Sequence, residues 1–262
     1  MTLWAQGYNE AVFGPTAKAG AGKHQGTPGR DSPPGLFPVI AIDGPGAAGK
    51  TTVGRALAAR LGYRFLDTGL MYRAVTWMAL QQRVSLENTE ALAALARTLD
   101  FRVTTPTEAA EEVVLVEGRP VLRDWLRSLE VEERVSQVSA VAGVREALVA
   151  KQRALAQEGR IVMVGRDIGT NVLPDAPLKV YLDASPEERA RRRYLERRSR
   201  GQEADPEETR RDLERRDGLD KGRQVAPLRI AEDARVVMTD GLSVGEVTEL
   251  LLKLAGAQQT DS

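Results

Sequence analysis

A chain of 262 residues with 37 basic and 37 acidic side chains has no net charge, so its overall balance favours neither a nucleic acid nor an anionic membrane as partner. It has no cysteine, which excludes disulfides and cysteine-bound zinc and fits a reducing, cytoplasmic setting. No apolar run is long enough to span a bilayer, and the N-terminus lacks a charged-then-apolar signal pattern. The length suits one α/β domain with an insertion, or two small domains.

Residues 1–37 are rich in Gly, Pro, Ala and Lys and show no periodicity, with breakers at Gly26-Thr-Pro-Gly29 and Ser32-Pro-Pro-Gly35. They read as a disordered extension, or as residues upstream of the true start. The piece Ala19-Gly-Ala-Gly-Lys23 lacks the spacing and the flanking elements of a phosphate-binding loop and is set aside. The folded unit is expected over 38–262.

Val39–Ile42 reads as a buried strand, and a helical pattern carried by Val53, Leu57 and Leu61 follows. Between them stands Gly44-Pro45-Gly46-Ala47-Ala48-Gly49-Lys50-Thr51-Thr52, a P-loop in its required strand–loop–helix context. Glycines let several backbone N–H groups converge on one anion, and the helix start adds its positive end. Lys50 can reach the β- and γ-phosphates, and the Thr51 hydroxyl can take a Mg²⁺ position.

The first helix ends at Gly62, Tyr63–Leu66 reads as a second strand, and Asp67-Thr68-Gly69 opens a helix running to about Gln82. A third helix spans about Glu87–Thr98. Asp100–Val103 and Glu112–Val116 read as short strands, with a turn over Glu117-Gly-Arg-Pro120. Helical stretches follow at about Arg123–Ser128, Val131–Val141 and Val144–Glu158. The segment 100–141 is expected to be an inserted subdomain.

Ile161–Val164 and Leu178–Leu182 read as buried strands, with Gly165-Arg166-Asp167-Ile-Gly-Thr170 at a strand C-terminal end, where ligands collect in open parallel sheets. Ser185-Pro-Glu-Glu188 and Asp205-Pro-Glu-Glu208 start two arginine-dense helices, and Ser185 with Glu188 is expected to form a capping box. Arg235–Met238 is the last strand and Ser243–Leu254 the last helix.

A P-loop alone implies nucleoside triphosphate binding. Asp67-Thr68-Gly-x-Met-Tyr-Arg73 should lie beside it, with Thr68 able to donate or accept and Arg73 able to grip a phosphate, unless Arg73 merely lines a solvated helix face. Asp167 could read an exocyclic amine or hold neighbouring Arg166; a plain structural ion pair is about as good a reading. The arginine helices are either an exposed salt-bridged pair or a lid that closes over phosphates, since phosphoryl transfer needs positioned cations and exclusion of water. An Asn-Lys-x-Asp motif is absent, against a GTPase switch, and the one histidine, His24, lies in the tail.

Taken together, Gly44–Thr52, Leu66–Arg73, Val144-Arg-Glu-Ala-Leu148, Gly165–Thr170, Pro174-Asp-Ala-Pro-Leu-Lys179, Ser185–Ala190 and Val225-Ala-Pro-Leu228 resemble the bacterial cytidylate kinases, over about Val39–Leu254. The resemblance implies a P-loop nucleoside-monophosphate kinase fold: a five-stranded parallel sheet flanked by helices, a small monophosphate-binding insertion (100–141) and an arginine-rich lid (185–223). It implies γ-phosphoryl transfer from ATP to CMP or dCMP with Mg²⁺, in pyrimidine nucleotide metabolism, by a cytoplasmic monomer. By position, Gly44–Thr52 would hold ATP. Thr68, Arg73, Ser136, Arg145, Arg166, Asp167, Arg216, Asp220 and Arg223 would hold the monophosphate, Arg189, Arg192 and Arg193 would serve with Lys50 in catalysis, and Thr51 would take the metal. Two departures stand out. Val164 replaces an acid that relatives often carry, leaving the metal to Thr51, phosphates, water or another acid such as Asp43. Gly218-Leu219 replaces a more charged stretch, which predicts one missing lid contact. The competing readings are a P-loop kinase for UMP or a shikimate-like acid, and a non-enzymatic nucleotide-dependent RNA binder, which the interleaved acids disfavour.

Overall fold

A computed structural model describes residues 36–101, 114–116, 119–121 and 123–256. The expected disorder of 1–37 therefore falls almost wholly outside the described residues.

In chain order the elements are β1 (Val39–Asp43), α1 (Lys50–Leu61), β2 (Arg64–Asp67), α2 (Thr68–Gln81), α3 (Thr89–Thr98), β3 (Asp100–Phe101), β4 (Val114–Val116) and β5 (Arg119–Val121). Then come α4 (Arg123–Leu126), α5 (Leu129–Ala140), α6 (Ala142–Gln157), β6 (Ile161–Val164), a π-helical turn (Ile168–Val172) and β7 (Leu178–Asp183). The chain closes with α7 (Pro186–Ser199), α8 (Pro206–Lys221), β8 (Arg235–Met238) and α9 (Val244–Ala255).

The expected five-stranded sheet is present, in the order β2-β6-β1-β7-β8, and its pairs are all parallel. Side chains alternate along each strand, and β1, β2 and β6 feed two cores. Ile40 and Ile42 of β1, with Val162 and Val164 of β6, face the core under α1 and α9. Ala41, Ile161 and Met163 face the other core, under α2, α3, α5 and α6. Both faces are covered by helices, which is why the strands read as apolar runs rather than alternations.

The stretch expected as a separate insert is joined to this second core through Val121, Leu126, Val131, Val135 and Val138, which pack with α2 and α6. Trp125 of α4 stacks on Trp77 of α2 with ring centroids 5.9 Å apart. The small β3-β4-β5 sheet is antiparallel, and it corrects the turn expected at 117–120: Arg119 and Pro120 belong to β5. Residues 102–103 and 112–113, read as strand, lie outside the described residues.

Helix starts follow the sequence signals. Asp67 caps α2 by accepting from the Gly69 amide, and Ser185 caps α7 by accepting from Glu188. The expected capping box at Ser185 is not formed, because the Glu188 carboxylate is taken by Arg191 and Arg192.

Candidate active site

The C-terminal ends of β1, β2 and β6 open onto one cavity of about 610 Å³. At its floor the chain turns from β1 into α1 through residues 44–49. Gly44 has φ +147°, and a Cβ there would stand 2.0 Å from the Leu182 carbonyl oxygen of β7, so no side chain fits. Gly49 caps α1 in a left-handed conformation, which aims the helix N-terminus at the cavity.

Lys50 is buried, and its Nζ donates to the Pro45 carbonyl at 2.6 Å. Burial, helped by the nearby Arg166 charge, pushes its pKa well down. Thr51 Oγ1 donates to Asp67 Oδ2 at 2.8 Å. Asp43, the other candidate acid, is committed elsewhere: its two carboxylate oxygens accept from the backbone N–H groups of Ile168 and Gly169, each at 2.7 Å. Burial nevertheless lifts its pKa to about 6. The acid beside Thr51 is thus Asp67, which the sequence placed near the P-loop but gave no part in metal binding. Val164 is wholly buried among apolar side chains on the α1 face of the sheet.

One end of the cavity is built from α5, α6, the loop after β6, and α8. Asp167 pairs with the buried Arg145 of α6, not with neighbouring Arg166, and also accepts from Asn171 at 3.0 Å. Arg145 stacks over the Tyr72 ring, 5.5 Å from its centroid. Arg166 instead donates to Asp220 at 2.9 Å, and Asp220 also pairs with Arg223. Burial works against the Asp220 charge, but Arg166 and Arg223 outweigh it and hold the carboxyl below its usual range. Arg223 also donates to Ser139 Oγ at 2.9 Å. Ser136 lines the same wall, and Thr68 lines it while donating to the Val164 carbonyl at 2.9 Å.

Between this end and the P-loop lies a cluster that the sequence did not disclose. Glu132 of α5 meets Arg73 of α2 at 3.6 Å, Arg193 of α7 at 3.2 Å and Arg216 of α8 at 3.0 Å, with Arg197 at 3.8 Å from its second oxygen. Burial pushes the Glu132 carboxyl up, yet Arg193, Arg73 and Arg216 together bring it down to about 2. Glu132 precedes Ser136 by one helical turn, so helical spacing was the available clue.

The two arginine helices lie over the cavity rather than out in solvent. Arg127, Arg192, Arg193, Arg200 and Arg216 all line it. Arg192 stands beside the P-loop with its guanidinium on Glu188, the Thr239 hydroxyl and the Thr239 carbonyl. Arg189, expected among the catalytic arginines, does not line the cavity. It pairs with buried Asp217 and donates to the Gly46 carbonyl at 3.2 Å, bracing the P-loop from behind. Of the expected nucleotide-binding positions, Gly46 to Thr52 line the cavity, whereas Gly44 and Pro45 stand behind it. Leu219 is half exposed on α8, so the uncharged pair Gly218-Leu219 faces away from the cavity, whose α8 contacts come from Arg216, Asp220 and Arg223.

The donor set at Thr51 and Asp67 is hard oxygen, which suits Mg²⁺ shared with phosphates and water. Among the described residues no group of three or more acidic or histidine side chains could hold a metal unaided. Several guanidinium N–H groups remain open: Nε of Arg145, Arg193, Arg197 and Arg223 is buried with no acceptor among the described residues. Buried donors without partners are costly; the guanidinium groups that line the cavity, Arg145, Arg193 and Arg223 among them, leave it rich in positive charge, which suits an anionic ligand.

The cytidylate kinase family model matches residues 40–257. A cytidylate kinase of Roseiflexus castenholzii (strain DSM 13941 / HLO8) is 48% identical over 86% of this chain and 96% of its own length. One from Geobacillus sp. (strain WCH70) is 46% identical over 82% of this chain and 95% of its own. A bifunctional pantoate ligase/cytidylate kinase of Synechococcus sp. (strain JA-2-3B'a(2-13)) is 45% identical over 86% of this chain, which spans 42% of that larger protein.

Proposed function

The chain belongs to the cytidylate kinase family, and from that premise we propose how its residues move the γ-phosphoryl group of ATP to CMP or dCMP, giving ADP and CDP or dCDP. The observation that carries the reading is one continuous cavity with a P-loop at one end, an Arg145–Asp167 pair at the other, and guanidinium groups between them.

ATP is held by residues 44–52, whose backbone N–H groups and helix start favour its phosphates. Lys50, now folded onto the Pro45 carbonyl, swings to the β- and γ-phosphates when they arrive. CMP lies along α5, with its phosphate among Arg73, Arg166, Arg216 and Arg223, and Thr68 close by. Its cytosine faces Ser136, Arg145 and Asp167, and its sugar faces Asp220. A carboxylate at Asp167 accepts from the cytosine N4 amine, which uracil lacks. Thr51, backed by Asp67, is the protein's contribution to a Mg²⁺ site. Bound with the nucleotide, that ion offsets charge on the donor phosphates.

A CMP phosphate oxygen attacks the γ-phosphorus in line. The new P–O bond forms as the bond to the ADP oxygen breaks, with no covalent intermediate on the protein. Lys50, Arg193 and Arg192 offset the developing charge, and Arg189 serves by keeping Gly46 in place. Residues 185–223 act as the lid that limits loss of the phosphoryl group to water, and 100–141 as the acceptor-side insertion. Among the described residues no helix is long and apolar enough to cross a membrane. The reading is of a monomer acting in the cytoplasm, without nucleic acid as partner.

The test is ADP formation from Mg-ATP with CMP, dCMP, UMP, AMP, GMP or no acceptor. Turnover with CMP and dCMP is expected to stand far above the rest. Equal ADP formation without acceptor would overturn the reading.

A further inference from the structure

We propose that Glu132 is a positioning residue for phosphoryl transfer, gathering the guanidinium groups of Arg73, Arg193 and Arg216 on one carboxylate so that they meet the reacting phosphates together. The proposal deepens the transfer reading above and rests on it.

Four separate elements meet at this carboxylate: α2 brings Arg73, α7 brings Arg193, α8 brings Arg216, and α5 brings Glu132 itself. Its side chain is 7% exposed, so these contacts are made in a weakly screened setting. Guanidinium groups brought this close repel one another, and burial with the Arg216 charge lowers the Arg73 pKa to about 9. One anion at their centre makes their convergence favourable.

Glu132 does this without saturating them. It engages one terminal nitrogen of each arginine, and a guanidinium has five N–H donors. Nε of Arg193 is left buried without an acceptor among the described residues, as is Nε of Arg197 behind it. The arginines also outnumber the carboxylates here, with Arg127 added through Glu196 and Arg197 shared with Asp212. The cluster is thus oriented by one carboxylate and still short of negative charge, as a site for transferring a phosphoryl group should be. Because α5 also presents Ser136 and Ser139 to the cavity, the acceptor wall and the lid arginines are referenced to one helix.

Steady-state kinetics of the full chain, varying CMP and ATP, for wild type, E132Q and E132D test this. E132Q keeps the shape and removes the charge. Its kcat is expected to fall about 100-fold, the scale of losing one aligned donor at a transfer centre, while the KM for CMP moves only a few-fold. E132D keeps the charge on a shorter stem and should recover part of the loss. Unchanged kcat in E132Q overturns the proposal, whether KM rises, which makes Glu132 a binding residue, or falls, which makes it a competitor of the acceptor phosphate. A shift confined to melting temperature also overturns it. Should E132Q not fold, E132A, which also removes the charge, decides: wild-type kcat there is a refutation. A wild type that fails to phosphorylate CMP brings down the transfer reading and the proposal together, whereas an active wild type beside an equally active E132Q removes Glu132 alone.

Discussion

Thr51 Oγ1 donates to Asp67 Oδ2 at 2.8 Å, which joins the first turn of α1 to the residue that caps α2. Asp67 thus has two tasks, separable because asparagine caps helices about as well as aspartate. Asp67→Asn should keep the fold, with a melting temperature within a few degrees of wild type. Its Mg²⁺ requirement should rise about 10-fold or more, the usual cost of disturbing a group behind a metal ligand. Titrating activity with Mg²⁺ at fixed ATP checks this, and an unchanged half-saturation point would remove Asp67 from the metal site.

Lys50 is a buried cation resting on a backbone carbonyl. Lys50→Ala should cost about 100-fold or more in kcat/KM, because its charge is needed at the donor phosphates. Stability should not fall with it, since burial already disfavours the ammonium. Near wild-type turnover would sink the P-loop assignment.

Asp167 and Arg145 form a buried pair at the far end of the cavity. Asp167→Ala leaves the arginine charge unpaired and should destabilise the fold by about 3–5 kcal/mol. Asp167→Asn keeps the shape but replaces an acceptor pair with a mixed donor and acceptor, so the preference for CMP over UMP should collapse by about 10-fold or more. Acceptor competition assays on the Asn variant read this directly, and intact discrimination would move base reading elsewhere.

Asp43 predicts a pH-dependent stability of defined sign. Its carboxyl titrates at about 6 folded, against 3.8 without the protein environment. The folded state therefore holds a proton that the unfolded chain has released between these values. The contribution of Asp43 is largest below about pH 4 and fades as the pH rises to about 6, by up to about 1.4 kcal/mol per unit. Lys50 and Asp167 act on it in opposite directions, and the Ile168 and Gly169 amides favour its charge. Asp43→Asn should lose the slope, along with one of the two backbone bonds. Urea unfolding of both proteins from pH 4 to 7 should give a stability difference that narrows as the pH rises; a constant difference would refute the assignment. The carboxyls of Glu132 and Asp220, held low, contribute equally to both proteins and cancel.

The sheet was legible because fully buried strands must be apolar and must alternate with helices. The end of α1 at Leu61 was readable to the residue because a left-handed glycine, Gly62, closes it. β5 was missed because Gly118 and Pro120 carry turn chemistry, and an edge strand tolerates a proline. Within the site, motif residues could be located, but their partners could not. Asp167 stands next to Arg166 in sequence and binds Arg145, because two adjacent side chains leaving a strand end point in different directions. Arg189 resembles its neighbours on α7, yet helical geometry turns it toward Gly46 and Asp217. Glu132 had no motif at all; its meaning comes from the arginines of three other elements.

The brace behind the P-loop has a mechanical consequence. Asp217 accepts from the Gly46 amide at 3.4 Å, Arg189 donates to the Gly46 carbonyl, and the two side chains grip each other. One residue of the donor loop is therefore clasped by both arginine helices. If those helices act as the proposed lid, any outward swing must either let go of Gly46 or drag it along. On that lid reading, uncovering the cavity and loosening the grip on a spent nucleotide would be a single stroke.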